Sequence, residues 1–416
     1  MDKQIYLCLA HMSESGYEQK YVKEAFDTNW VVPLGPNVNA FEEDLKQFTG
    51  GTHEVVALSA GTAAVHLALI ACGVGPGDEV LVQSFTFCAS SHPITYLGAK
   101  PVFVGSEPET WNMDPVLLEE AIKDRIAKIG KKPKAIVPVA LYGMPYDCKR
   151  IMEIADRYDI PVVEDAAEGF GSKFDGRILG TFGKFGVLSF NGNKMITTSG
   201  GGALVCQSAE DKNTVMWYAT QARDAYPYYQ HTAIGYNYRM SNICAGIGRG
   251  QMMVAQAHID HHKHVQALYE ELLREVKGVH IHRQPADPRY DSNFWLCTAT
   301  LDADVKVQGQ ENAYKEVIKT AVGGAVGVIK AVESATTDCQ PNDNVEALRV
   351  FMATNRIETR PVWKPMHKQP VYVDAVVYTN GVEEEIFKVG FCLPAGPWVT
   401  DEDVKYIVEK IKEAIL

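Results

Sequence analysis

Seven short apolar runs recur through the first half of the chain: "EVVALS" (54–59), "GDEVLVQSF" (77–85), "KPVFVG" (100–105), "KAIVPVAL" (134–141), "IPVVED" (160–165), "FGVLSF" (185–190) and "GGALVC" (201–206). Helical patterns separate several of them. In "GTAAVHLALIACG" (61–73), Val65, Leu69 and Cys72 recur at helical spacing. "DPVLLEEAIKD" (114–124) starts a helix through Asp114 and Pro115, and "KRIMEIADRYD" (149–159) forms another. Strands that are apolar along their whole length bury both faces. Alternated with helices, they imply an α/β fold whose sheet is mostly parallel and covered on both sides.

The pattern changes after about residue 240. "NICAGIGRGQMMVAQAHIDHHKHVQALYEELLREV" (242–276) reads as one long helix leading out of the first unit. "SNFWLCTATLD", an uninformative stretch at 303–345 and "VEALRVFMATNRIETRPVW" follow. "TDEDVKYIVEKIKEAIL" reads as an amphipathic C-terminal helix capped by Thr400. A boundary near residue 250 divides the chain into 1–250 and 251–416.

Several classes of function are excluded at this point. The net charge of −12 opposes a nucleic-acid partner, which needs clustered Lys and Arg. The basic run "KDRIAKIGKKPK" (123–134) reads as a solvated helix end and loop. No apolar run reaches the roughly 18 residues of a membrane helix. "AVGGAVGVIKAV" (321–332) is short and broken by Lys330, and the N-terminus lacks the basic start of a secretion signal. The nine cysteines contain no C-x-x-C pair and no zinc-like spacing, so they suit a reducing compartment, and no metal site is expected. The expected location is the cytoplasm.

Four features then fall in order at strand ends. "SAGTAAVHLAL" (59–69) turns from strand to helix, where free amides and the helix dipole favour phosphate. Gly61 permits close approach there and Thr62 adds a hydroxyl. Phe87 in "SFTFCASS" is either core or a flat platform for a ring. Asp165 ends "IPVVED", as a helix cap or a ligand-facing acid. Lys194 sits in "SFNGNKMITTSGGG" (189–202), as a loop lysine or a nucleophile for carbonyls, with Ser189 able to add a hydroxyl to a phosphate site. Each is weak alone. Together they describe phosphate, aromatic ring, ring nitrogen and aldehyde, which is pyridoxal 5′-phosphate.

With those residues in place, the chain resembles the sugar aminotransferases of the DegT/DnrJ/EryC1/StrS family. The resemblance runs through "PLGPNVNAFEEDLKQFTG", "LSAGTAAVHLALIACGVGPGDEVLVQSFTFCAS", "VVEDAAEGFGS", "GVLSFNGNKMITTSGGGALV" and "GYNYRMSNICAGIG". It implies the aspartate aminotransferase fold (type I), with a cofactor-binding large domain over 1–250 and a small C-terminal α+β domain over 251–416. "SFNGNKMITTSGGG" and "RPVWKPMHKQPVY" look most like the branch that aminates UDP-4-keto-6-deoxy-N-acetylglucosamine-type sugars, as in bacillosamine synthesis.

The resemblance also implies roles. Lys194 matches the Schiff-base lysine, Asp165 the partner of the pyridine nitrogen and Phe87 the stacking aromatic. Gly61, Thr62, Ala63 and Ser189 match the phosphate cradle, and Glu168 and Asn191 join the cofactor contacts. Asn237 matches an asparagine that reaches the phosphate from a second subunit, which implies a homodimer with shared sites. Trp30, Lys364 and His367 are candidates for sugar-nucleotide contacts. The implied reaction is ping-pong transamination from L-glutamate to the C4 ketone of a nucleotide sugar, in amino-sugar and surface-glycan synthesis.

Two departures stand out. Many members carry glutamine at the position of Glu168. A second anion beside the cofactor's phenolic oxygen would repel it, so Glu168 is expected to be protonated or hydrogen-bonded elsewhere. The 303–345 stretch is also long for the family. GDP- or dTDP-linked keto sugars of the perosamine type are alternative substrates. A sugar dehydratase on the same scaffold would carry histidine in place of Lys194, and a non-catalytic relative would have lost Lys194 or Asp165. A nicotinamide oxidoreductase needs a G-x-G-x-x-G turn that "GTFGKFG" (180–186) does not supply.

Overall fold

The computed structural model describes residues 3–314 and 339–416. The 321–332 stretch and the middle of 303–345 lie outside the described residues.

All seven apolar runs are strands: β1 (Glu54–Leu58), β2 (Glu79–Gln83), β3 (Lys100–Val104), β4 (Ala135–Val137), β5 (Val163–Asp165), β6 (Phe185–Ser189) and β7 (Gly202–Cys206). They form one sheet in the order β1-β7-β6-β5-β4-β2-β3. Bridges at Ile136–Val162 and Val139–Asp165 join β4 to β5. Only β7 runs against its neighbours among these seven. β2, β6 and β7 are buried along their whole length, as two covered faces require. The strand Val376–Tyr378 adds itself in parallel to the edge at β3.

Helix caps follow the sequence. Asp114 accepts the Val116 N–H ahead of helix Pro115–Ile129. Thr400 forms a reciprocal capping box with Asp403 at the start of helix Asp401–Ala414.

The expected long helix over 242–276 is instead two, Asn242–Met252 and Ala255–Leu272. The last turn of the first tightens, with Met253 N–H and Val254 N–H donating to Gly250 O and Gln251 O, three residues back. Val254 (φ −119°, ψ 2°) leaves the helical region. Ala255–Leu272 buries one face, whereas Asn242–Met252 buries residues on several sides, among them Asn242, Gly246, Gly248 and Gln251, and no proline marks the break in the sequence.

The second helix packs Val265 and Tyr269 into a separate core with Cys297, Leu393, Ile407 and Ile411, which Ile5 joins from the N-terminus. This core covers an antiparallel sheet of Val279–Ile281, Cys297–Leu301, Gly390–Leu393 and Arg360–Pro361, the α+β part of the fold. No helix among the described residues is long and apolar enough to cross a membrane.

Candidate active site

Parallel strands bring their carboxyl ends to one edge, and ligands of open α/β sheets bind there. The turns after β1, β2, β5 and β6 line one cavity of about 340 Å³. Gly61 and Thr62 enter from the first, Phe87 from the second, Asp165 and Glu168 from the third, and Ser189, Asn191 and Lys194 from the fourth. Residues 130 positions apart in sequence thus share one space.

The helix Gly61–Ala71 begins at this cavity, and no side chain caps it. A Cβ added to Gly61 would lie 3.0 Å from Ser189 Cβ and 3.1 Å from its Oγ, so a larger residue would press the serine away from the helix start. Ala63, the residue after Thr62, is buried and does not line the cavity.

Asp165 is buried. Its Oδ2 accepts from Ser90 Oγ (2.6 Å) and its Oδ1 from the Ala167 N–H (3.1 Å). Ser90 is in turn bonded to Thr86 Oγ1 (2.8 Å). Burial pushes the Asp165 carboxyl above its usual range, and the Ser90 bond, the Ala167 N–H and the Lys194 charge pull it back only in part. A carboxylate so placed favours a cation beside it.

Lys194 Nζ stands 3.2 Å from Glu168 Oε1 and 4.0 Å from the centre of the Trp295 ring. The other Glu168 oxygen, Oε2, accepts the Tyr142 N–H at 2.7 Å. Burial pushes Glu168 up as well, opposed first by the Lys194 charge and then by Tyr142. The Tyr142 hydroxyl accepts the Trp363 N–H at 2.7 Å, so Glu168, Tyr142 and Trp363 form one connected wall. Phe87, about half exposed, faces Trp363 with ring centres 5.3 Å apart.

The remaining candidates lie elsewhere in this chain. Asn237 is exposed, is bridged to Thr220 and does not line the cavity. Trp30 is also outside it, and its carbonyl accepts from Asn242 Nδ2 (2.9 Å). Lys364 lines a cleft that adjoins the cavity through Thr86, Phe87 and Trp363. His367 lines neither space. Its side chain is buried, with Nδ1 2.7 Å from Ser84 Oγ and Nε2 2.9 Å from Glu384 Oε1.

Sequence reasoning missed Ser90, Tyr142, Trp295 and Trp363. Ser90 stands three residues beyond Phe87 in a quoted motif, and its geometry alone gives it a role. Trp363 stands in the quoted motif "RPVWKPMHKQPVY", beside the candidate Lys364, while Tyr142 and Trp295 come from segments whose patterns carry no chemical signature.

Asn293 holds this region together. Its Nδ2 donates to Glu168 O and Phe170 O (2.9 Å each), and its Oδ1 accepts the Trp295 N–H at 2.8 Å. A Cβ on Gly143 (φ +92°) would fall 1.8 Å from Asn293 Oδ1. Gly143→Ala should therefore destabilise the protein by roughly 2–4 kcal/mol, from strain at positive φ plus displacement of a buried amide. Chemical denaturation would measure this, and a change under about 0.5 kcal/mol would contradict it.

His262 adds a pH dependence. Its Nδ1 lies 3.1 Å from Phe294 O, and burial lowers its pKa from 6.5 to about 3. Between those values the unfolded chain binds a proton that the folded chain excludes, so stability falls as pH drops below about 6.5. His262→Gln lacks this loss. The stability margin of the wild type over the variant, followed by thermal melts, should shrink on acidification from about pH 8 to 5. A constant margin would show that His262 is not held neutral.

Comparison with known proteins agrees with this geometry. The model of the DegT/DnrJ/EryC1/StrS aminotransferase family matches residues 13–327 and 310–412. EpsN of Bacillus subtilis (strain 168), named as a candidate pyridoxal phosphate-dependent aminotransferase, is 41% identical over 98% of this chain and 95% of its own. A GDP-perosamine synthase of Escherichia coli O157:H7 is 34% identical over 98% of both chains. A crystal structure of a DegT DnrJ EryC1 StrS aminotransferase from Brucella abortus superposes with a TM-score of 0.81 at 26% identity, covering 96% of this chain and 95% of that one. The chain belongs to the DegT/DnrJ/EryC1/StrS aminotransferase family.

Proposed function

We propose that the enzyme uses pyridoxal phosphate to move an amino group from L-glutamate to the C4 ketone of a nucleotide-linked 4-keto-6-deoxy sugar. The observation that carries this reading is the meeting of Lys194 and Asp165 in one cavity, from the ends of β6 and β5. The residues fit the cofactor. The uncapped helix start at Gly61 and Thr62, with Ser189 against it, would hold the phosphate. Phe87 would cover the ring face. The buried Asp165, whose charged form is only partly compensated, would pair with a protonated ring nitrogen. Glu168 and Asn191 complete the cofactor contacts.

Bound there, pyridoxal phosphate supplies an aldehyde that takes up the amino group and a ring that absorbs the electron pair of the cleaved C–H bond. Lys194 Nζ would hold the cofactor when idle and, once free, would act as the general acid/base that moves a proton between the cofactor carbon and the donor carbon in one half-reaction, and between the cofactor carbon and the sugar carbon in the other. Ser90 and the Ala167 N–H hold Asp165 in the orientation its pairing needs. Lys364 would contact the nucleotide end from the adjoining cleft, whereas Trp30 and His367, which line neither space, are not assigned a substrate contact, and His367 is bonded to Ser84 instead.

The active unit is a homodimer in this reading, with Asn237 completing the phosphate site of the second copy. Its exposure, and its absence from the lining of its own chain's cavity, support this.

The preferred substrate is UDP-2-acetamido-2,6-dideoxy-4-keto-hexose, on the motifs "SFNGNKMITTSGGG" and "RPVWKPMHKQPVY". The similarity to GDP-perosamine synthases supports a second reading, a GDP-linked 4-keto-6-deoxy sugar. Offering the UDP-, GDP- and dTDP-linked 4-keto sugars with L-glutamate and following amination by mass spectrometry separates them. Amination of the GDP sugar alone would replace the first reading by the second.

A further inference from the structure

Trp295 has no part in the chemistry above, yet Lys194 rests against it. Nζ lies 4.0 Å over the indole centre on one side and 3.2 Å from Glu168 Oε1 on the other. Trp295 is 1% exposed. Its Nε1–H donates to the carbonyl of Asn193, the residue before the lysine, at 2.7 Å. Asn293 accepts the Trp295 N–H and donates to the Glu168 carbonyl, so one buried amide ties both walls together. Phe294, next to Trp295, takes positive φ (48°), a conformation that persists only where the surroundings enforce it, and His262 binds its carbonyl. An ammonium over an indole face in a site shielded from water is held by the ring quadrupole. Four rotatable bonds would otherwise let a displaced lysine wander.

We propose that the Trp295 face and the Glu168 carboxylate form a seat for the Lys194 ammonium, to which the side chain withdraws while it carries a proton. Trp295 is then a positioning residue for the general acid/base. This rests on the assignment of Lys194 made above.

The holoenzyme tests it. Trp295→Leu removes the face, and Trp295→Phe keeps a face but loses the bond to Asn193 O. The seat predicts that Trp295→Leu lowers kcat about tenfold, the scale of a desolvated cation–π contact, and raises the kinetic isotope effect with α-deuterated L-glutamate. KM for glutamate and cofactor affinity, the latter read by equilibrium dialysis, should stay within about twofold. Trp295→Phe should recover kcat to within about threefold of the wild type.

Wild-type kcat and isotope effect in Trp295→Leu would overturn the proposal. So would equal loss in both variants, which would assign the role to the Asn193 bond. Should Trp295→Leu fail to fold, replacing all tryptophans by a fluorinated analogue weakens the ring face without changing its shape. The seat then predicts a slower kcat in the wild type and none of that slowing in Trp295→Phe, and equal responses would overturn it. A wild-type control without glutamate-dependent turnover would instead sink the Lys194 assignment, and the seat with it.

Discussion

Lys194→Ala should give a folded protein with no turnover. The lysine makes one ion pair, to Glu168, and rests on one ring, so its truncation opens no large core cavity. The loss of its charge pushes the Glu168 carboxyl further up, because that charge is the first influence holding it down, and the group can protonate rather than disrupt the fold. Activity is another matter. A positioned general acid/base contributes about 10²–10⁴ in rate, and here the same atom also anchors the cofactor. The expected fall is roughly 10⁴-fold or more, with unchanged circular dichroism. Appreciable transamination by the variant would remove Lys194 from the chemistry.

Asp165→Asn should have the second largest effect. The amide has nearly the shape of the carboxylate and keeps an oxygen for Ser90 or the Ala167 N–H, so the site geometry survives. What disappears is the negative charge. Without it a ring nitrogen loses the partner that keeps it protonated, and the ring takes up carbanion charge poorly. Removing one preorganised electrostatic contact typically lowers rate by about 10²–10³-fold, and that loss is expected in kcat with L-glutamate. Cofactor binding, measured by absorbance titration, should weaken as well. A variant with wild-type kcat would show that Asp165 faces the ring for another reason.

Much of this site was legible because it is built at strand ends. Asp165 closes an apolar run and Gly61, Phe87 and Lys194 follow within a few residues of one, and a parallel sheet must bring such ends to one edge. The same logic fails for residues without a strand to announce them. Trp295 and Trp363 reach the cavity from loops more than a hundred residues beyond Lys194, and only the packed fold relates them. His367 shows the opposite error. It stands in a motif that resembles substrate-binding segments, yet its side chain is buried with both ring nitrogens engaged. The merged reading of 242–276 failed because the first helix ends in a tightened turn that no proline announces.

Whether Lys194 and Asp165 form an amino-transfer site for pyridoxal phosphate is tested most directly by the absorbance spectrum of the purified protein loaded with the cofactor, before and after L-glutamate. A visible band from lysine-bound cofactor should give way to the near-ultraviolet band of the aminated cofactor, and return when an accepted keto-sugar nucleotide is added. A protein that takes up no cofactor and shows no donor-dependent change would contradict that assignment.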